Sequence, residues 1–248
     1  MIKTPAEIES MRRGGQLLGQ FLRELATFVV PGATPLDVEY RAAELFEEHG
    51  VLPGFKGYKN FPNICCIAVN DALVHAIPND RKFERGDLVK IDCGLILDDL
   101  YTDSALSVVA GGDSAASPTS KKLMQATKKA LNLAIREVKP GAKTGDLSAV
   151  IQKTVESAGF SIVRELTGHG LGYELHEEPT IFNFGKKGSG TALKPGMTFA
   201  IEPIVAAGER FIHTLDDRWT IATRDGSWGC QFEHTVLVTE NGHEVLTA

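Results

Sequence analysis

The 248-residue chain carries 43% hydrophobic and 23% charged side chains and a formal charge of −6, which excludes a disordered tail, a fibrous repeat and a protein whose main work is to grip nucleic acid. No apolar run reaches the roughly 18 residues of a membrane span and the start, MIKTPAEIESMRR, lacks the apolar centre of a signal peptide. A cytoplasmic chain, complete as written and with no membrane or specific nucleic-acid partner, is the expectation.

Thr4-Pro5-Ala6-Glu7 is a capping box with proline at the first helical position, so a helix starts there. Leu17, Leu18, Phe21, Leu22, Leu25 and Phe28 mark its buried face, and Pro31-Gly32 ends it. Thr34-Pro35 opens a second helix that stops at His49-Gly50. From Ile64 the pattern turns strand-like, with apolar runs at 64–69, 87–97 and 104–110. A connector over 111–117 leads to Ser117-Pro118 and a third helix that closes at Lys139-Pro140-Gly141. The four cysteines, Cys65, Cys66, Cys93 and Cys230, form no CxxC pair and fit a reducing compartment.

The chain then begins again. Pro31-Gly32-Ala33 with Asp37 and Gly50 matches Pro140-Gly141-Ala142 with Asp146 and Gly159, all at one offset. Val74-His75-Ala76-Ile77-Pro78 resembles Leu175-His176-Glu177-Glu178-Pro179. The run to Ile91-Asp92 resembles the run to Ile201-Glu202, and Thr102-Asp103 lines up with Phe232-Glu233. Ordered matches of this kind predict an α/β domain of two related halves, about 1–110 and 118–248, packed around a shared cleft. Each half supplies one histidine and two carboxylates; His169, in TGHGLG, has no counterpart.

Asp92 and Asp103 sit eleven positions apart, the spacing of a hairpin that sets them beside each other with Asp98-Asp99 in the turn. Glu202 and Glu233 flank further strand-like runs. Ionised acids inside strands cost several kcal/mol unless paired or metal-bound, and two unit charges 4 Å apart repel by about 4 kcal/mol at an effective dielectric near 20. Lys90 and Lys194 form no matching set of counter-charges. Carboxylate oxygens with a single imidazole favour Mn, Fe, Co or Zn, and a pair of such ions activates water for hydrolysis. His49, His213, His234 and His243 lack this context, and GKKGSG at 185–190 lacks the order of a phosphate loop and is read as a mobile loop.

Asp92, Asp103, His169, Glu202 and Glu233, together with HEEP and KPGMTFAIEP, resemble the methionine aminopeptidases of type I in their compact bacterial form. The resemblance runs from TPAEIESMR to NGHEVLT. It implies the pita-bread fold, a single catalytic domain over 1–248 with a curved, mainly antiparallel sheet covered by helices, and removal of N-terminal methionine before a small second residue by a metal-activated hydroxide. It also implies that those five residues hold two divalent ions (Co, Mn, Fe or Zn), with Glu202 also moving a proton and His75 and His176 touching substrate near the scissile bond. Tyr58, Phe61, Cys66 and Trp219 would line the methionine pocket. Phe61, Lys59 and Leu175 depart from the family's usual residues, and all three touch that pocket. A monomer in transient contact with the ribosome is the partner expectation. The competing readings are an aminopeptidase P or prolidase of the same fold, and a non-catalytic binding module.

Overall fold

The computed structural model describes residues 2–248. Helix α1 spans Pro5–Ala26 and starts as its capping box dictates: the Glu7 amide donates to the Thr4 hydroxyl and the Thr4 amide donates to the Glu7 carboxylate. It ends before Pro31-Gly32, because the amides of Thr27, Phe28 and Val29 bond three residues back and tighten the last turn. Phe28 therefore lies beyond the helix. Helix α2, Pro35–His49, carries a second capping box on Thr34 and Asp37 and stops at Gly50, whose φ of 62° suits a left-handed cap.

Strand β1 (Leu52–Pro53) and a helical turn at Tyr58–Asn60 lead into β2 (Cys65–Val69), β3 (Ala72–Val74), β4 (Leu88–Leu97) and β5 (Leu100–Val109). Helices α3 (Pro118–Glu137) and α4 (Thr144–Ser157) follow. The second run of strands is β6 (Ser161–Ile162), β7 (Thr167–Gly170), β8 (Glu177–Phe182), β9 (Thr198–Ile201), β10 (Ile204–Ala206), β11 (Ile212–Thr214), β12 (Ile221–Thr223), β13 (Gly229–Gln231), β14 (His234–Thr239) and β15 (Gly242–Val245). Every ladder among the described residues is antiparallel. Strand β5 begins four residues before the expected run, because the hairpin turn is only Asp98-Asp99, both at positive φ, and pairing starts at once with Leu97 opposite Leu100.

Alternation on β4 sorts the two faces of the first sheet. Val89, Ile91, Cys93 and Leu95 join Leu18, Phe21 and Leu25 of α1 and Val38 and Leu45 of α2 in one core, which leaves Lys90, Asp92 and Gly94 on the opposite face. Helices α3 and α4 cover the second set of strands in the same way, through Leu123, Leu131, Leu147 and Ile151 against Phe199, Ile201 and Val236.

The two halves share the β3–β12 ladder, and where β5 meets the β13–β14 segment hydroxyl groups take the place of one. Thr235 Oγ1 accepts from the Asp103 amide at 2.9 Å and donates to the Asp103 carbonyl at 2.7 Å. Ser104 Oγ donates to the Glu233 carbonyl, while the Glu233 amide donates to Ala105. Ser107 Oγ likewise serves both the amide and the carbonyl of Gln231. Each bond is buried, so breaking one leaves a backbone group without a partner.

Helix α1 lies so close to the C-terminal segment that a Cβ on Gly15 would stand 2.5 Å from the Leu246 carbonyl oxygen. Helix propensity alone favours alanine by up to about 1 kcal/mol, but the close approach predicts the opposite sign. Gly15→Ala is expected to lower stability by about 1–3 kcal/mol in denaturant titration. A more stable variant would show that α1 can slide off that segment.

Candidate metal centre and cleft

Strand period and broken ladders together aim the five candidate ligands at one point. On the β4–β5 hairpin, Asp92 pairs with Ala105 and Asp103 with Gly94, so the two aspartates are diagonal neighbours on one face and not directly opposite. Glu202 lies in the gap between β9 and β10, and Glu233 in the gap between β13 and β14. These gaps face each other: His234 pairs with Ile201 on one side and Gln231 with Ile204 on the other. Pro203 has no amide to offer a ladder there, and the interruption frees both glutamates to turn inward.

His169 arrives on β7, where Gly168 and Gly170 let the strand approach its neighbours. A Cβ at these positions would stand 2.4 Å from the Ala200 oxygen and 2.3 Å from the Glu178 oxygen. The ring's tautomer follows from its partner. Nδ1 lies 3.0 Å from the Gly170 carbonyl, which can only accept, so Nδ1 carries the hydrogen and Nε2 presents a bare lone pair. That lone pair faces carboxylates, with Glu202 Oε1 at 3.6 Å and Asp103 Oδ2 at 3.9 Å. Ligand atoms of Asp103, His169 and Glu233 all lie within 4.8 Å of one another.

Either protons or a metal cation must relieve these buried acids. Asp92 Oδ1, Asp103 Oδ1 and Glu233 Oε1 are buried without a hydrogen-bond partner. Burial pushes the Asp92 carboxyl up to about 7. Burial, then the charges of Asp92 and Glu202, pushes Asp103 well above the carboxylate range. Glu202 is raised by burial and by Asp92, and Glu233 by burial, Asp103, Glu202 and Asp92 in that order. Orphaned oxygens, an unprotonated imidazole nitrogen and mutual repulsion fit a metal centre chemically.

Beside the acids opens an apolar pocket. Cys66 pairs directly with Asp92 across β2 and β4, so the pocket wall adjoins the candidate ligands on the same sheet face. Phe55, Phe61, Cys66 and Leu175 form its buried cluster, with Tyr58 and Trp219 packed against it. His75 and His176 line the same cleft. His176 Nδ1 lies 2.9 Å from the Tyr58 hydroxyl and its ring sits 4.2 Å from that of His169. Burial, then the neighbouring His169 and Lys59, hold the His176 imidazole down to about 3; burial and Lys59 also lower His75. Both rings are neutral at physiological pH. Glu177 fixes the approach to His176 by accepting from the amides of Tyr173 and Glu174 and pairing with Lys3 at 2.8 Å.

All the residues singled out in the sequence as ligands or cleft residues come together here. Phe55, Gln231 and Glu177 were not among them. Gln231 stands two residues from Glu233 and donates to Asp92 and Glu202. His49 ends α2, His213 is exposed on β11, and His234 and His243 bond away from the acids, to Thr247 and the Val138 carbonyl. GKKGSG, read as a mobile loop, lies exposed beside the start of α4. The Gly145 amide donates to Ser189 and the Gly188 amide to Asp146, so the loop closes the start of α4.

Comparison with known proteins points the same way. The profile of metallopeptidase family M24 matches residues 9–240. Methionine aminopeptidase 1 of Bacillus subtilis is 40% identical over 245 residues, 99% of this chain and 98% of its own. The Escherichia coli K12 methionine aminopeptidase is 40% identical over 251 residues, covering 99% and 93%. The crystal structure of the Thermotoga maritima methionine aminopeptidase superposes with a TM-score of 0.97 at 44% identity, covering 100% of this chain and 98% of that one. A prolidase from Pyrococcus horikoshii shares the fold, with a TM-score of 0.80 at 24% identity, and this chain covers 63% of it.

The raised carboxyl values set a pH dependence. Without metal, the folded protein binds more protons than the unfolded chain from the ordinary carboxylate range near 4 up to about 7 and beyond. The neutral acids' contribution is complete below that range and is lost as pH rises through the folded values. A bound cation favours the charged form and reverses the sign. Titrating metal-free protein with Mn(II) at pH 6–7 should therefore release protons, read as a binding heat that depends on the buffer's ionisation enthalpy, and metal should stabilise most at the high end of the window. A heat independent of buffer would mean that the acids are already ionised.

Proposed function

The chain belongs to metallopeptidase family M24, and from that premise we propose that it removes N-terminal methionine from peptides and nascent proteins by divalent-metal-dependent hydrolysis, with preference for a small second residue. The observation that carries this reading is the junction of an acid-rich metal centre with an apolar, aromatic pocket on a single sheet face, through the Cys66–Asp92 pair. The prolidase likeness supports a shared fold alone, and no observation favours a binding module: each acid needed for a metal centre is present and turned inward.

In this reading Asp92, Asp103, His169, Glu202 and Glu233 would hold two divalent ions drawn from Mn, Fe, Co and Zn. When bound, such ions supply Lewis acidity and an acidified water. The remaining work falls to side chains. Phe55, Phe61, Cys66, Leu175 and Trp219 take up the methionine side chain and keep bulk water from the scissile bond. Burial keeps the Cys66 thiol protonated, so the pocket stays apolar.

His176 is neutral, and a hydrogen donated by the Tyr58 hydroxyl to Nδ1 leaves Nε2–H to donate to the substrate carbonyl oxygen as negative charge develops there. Lys59 contributes by discouraging a second positive charge on either cleft histidine. Glu202 carries the proton from the attacking water towards the leaving amine, and His75 lies at the amine side. The chain acts as one catalytic domain of two related halves over 1–248, as a monomer in the cytoplasm that meets nascent chains near the ribosome.

Two measurements test this. Metal-stripped protein should lose turnover of Met-Ala-Ser and regain it on addition of Mn(II) or Co(II), with no comparable cleavage of Ala-Pro peptides; unchanged turnover without metal, or preferred cleavage before proline, would reject the reading. His176→Ala should bind metal normally while kcat falls on the order of 10²–10³-fold. Full kcat in that variant would remove His176 from the reaction.

A further inference from the structure

The geometry points to Lys3 as a positioning residue for the cleft: through a buried ion pair with Glu177 it sets the irregular segment that delivers His176 to the scissile bond and Leu175 to the methionine pocket. This inference rests on the roles given to His176 and Leu175 in the reading above and deepens them.

Residues 172–176, between β7 and β8, form neither helix nor strand, so no ladder aims them. The Glu177 carboxylate takes over that task. Its Oε1 accepts from the Tyr173 amide at 2.6 Å and from the Glu174 amide at 3.1 Å, which closes the segment into a turn. Leu175 then joins the buried cluster of Phe55, Phe61 and Cys66, and His176 reaches Tyr58 and His169. A carboxylate used in this way must itself be held. Lys3 Nζ donates to Glu177 Oε2 at 2.8 Å, across 174 positions of sequence, and the two side chains are 0% and 5% exposed. One oxygen thus serves the segment's backbone while the other is tied to Lys3.

Lys3 is anchored in its turn. Its amide donates to the Gly196 carbonyl at 2.8 Å and Ile2 bridges Met197, so its backbone is tied to the chain just before β9. The side-chain stem crosses the segment at Gly172, where a Cβ would stand 2.0 Å from Lys3 Cε. Beside it, the Tyr173 ring centre lies 4.7 Å from Nζ and the Tyr173 hydroxyl donates to Glu7 at 2.8 Å. Glu7 is also the capping residue of α1. The residues before α1 and its first turn therefore hold the same short segment of the cleft.

Packing alone does not call for such a pair. Taking an ammonium and a carboxylate out of water offsets much of their attraction, and hydrocarbon of similar volume commonly packs as stably. Methionine at position 3 would fill the space, but it would take away the hydrogen that Lys3 gives Glu177 Oε2 and free the carboxylate to turn from the Tyr173 and Glu174 amides. The segment would then stay folded and lose its aim. Reaction rates respond to misplacement on the scale of about 1 Å. None of the five candidate metal ligands lies on this segment, so metal binding should be spared.

The test compares wild type, Lys3→Met, Glu177→Gln and the double variant. Turnover of Met-Ala-Ser and Mn(II) affinity are measured together with unfolding midpoints. The imidazole nitrogen resonances of His176 are read in metal-free protein carrying isotopically labelled histidine, and are assigned by their absence from His176→Ala. In wild type the hydrogen that Tyr58 gives to Nδ1 should hold His176 in a single tautomer, with its own hydrogen on Nε2. Lys3→Met is expected to show mixed tautomers and a kcat lower by about tenfold or more, with unchanged Mn(II) affinity. Glu177→Gln keeps an oxygen for the amides and should show the same signature more weakly. The double variant should regain neither kcat nor the single tautomer, whatever its midpoint, because removing both charges does not restore the tie. A single tautomer with full kcat in Lys3→Met, kcat that follows the unfolding midpoint across the four proteins, or Mn(II) affinity that falls in step with kcat overturns the positioning role. Should Lys3→Met fail to fold, the same results in Glu177→Gln decide. If wild type does not cleave Met-Ala-Ser, the proposed function fails, and the His176 tautomer still decides whether Lys3 positions that ring.

Discussion

Four carboxylates buried within reach of one another, with no basic side chain among them, are the constraint on which the molecule turns. Such a cluster cannot be assembled by a single hairpin. It takes two aspartates from the β4–β5 hairpin and two glutamates from the facing β9–β10 and β13–β14 gaps, and the seam must then hold despite the repulsion it encloses. Thr235, Ser104 and Ser107 do this with hydroxyls that bond backbone amides and carbonyls across the junction. Paired backbone groups are strong obligations in a buried setting, so the seam is fixed by bonds that do not depend on the charge state of the acids beside them.

The ligands depend on irregularity as much as on regular structure. Asp92 and Asp103 are carried by a long, uninterrupted hairpin and gain their aim from strand alternation. Glu202 and Glu233 gain theirs from the break that Pro203 and the facing Phe232-Glu233 segment create in an otherwise continuous pair of strands. His169 needs neither, because glycine on both sides allows its strand to press against Ala200 and Glu178. The cleft histidines are ordered by their neighbours: Tyr58 and Lys59 act on His176 from one loop, and Glu177 sets the backbone that delivers it. Neutral imidazoles, a protonated thiol and aromatic rings surround the acids in the cleft, and Lys59 stands exposed at its mouth.

Much of this was readable from residues alone. Thr4-Pro5-Ala6-Glu7 and Thr34-Pro35 announced their helices because a cap is a local device, complete within four residues. The acids stood out because each half repeats them after an apolar run. The diagonal offset of Asp92 and Asp103 was encoded too, since a two-residue turn at Asp98-Asp99 forces 92 opposite 105. Other features depend on distant partners and left no local trace. The bonds of GKKGSG to the start of α4 are one such feature. Gln231 reads as an ordinary polar residue until the seam sets it between two acids, although its place two positions before Glu233 was a hint. Phe55 gains its role from Gly94, which leaves room for its ring.

The order of the ligands along the chain gives the seam a meaning in time. Asp92 and Asp103 are synthesised together and can pair as a local hairpin early, but Glu233, Thr235 and the β14 strand they depend on come near the C-terminal end. A growing chain carries the β4–β5 pair of acids before Glu233 and the seam bonds of Thr235 exist, and truncation before Glu233 removes a candidate ligand outright. The candidate centre is thus complete only once both halves have been made and have closed on one another.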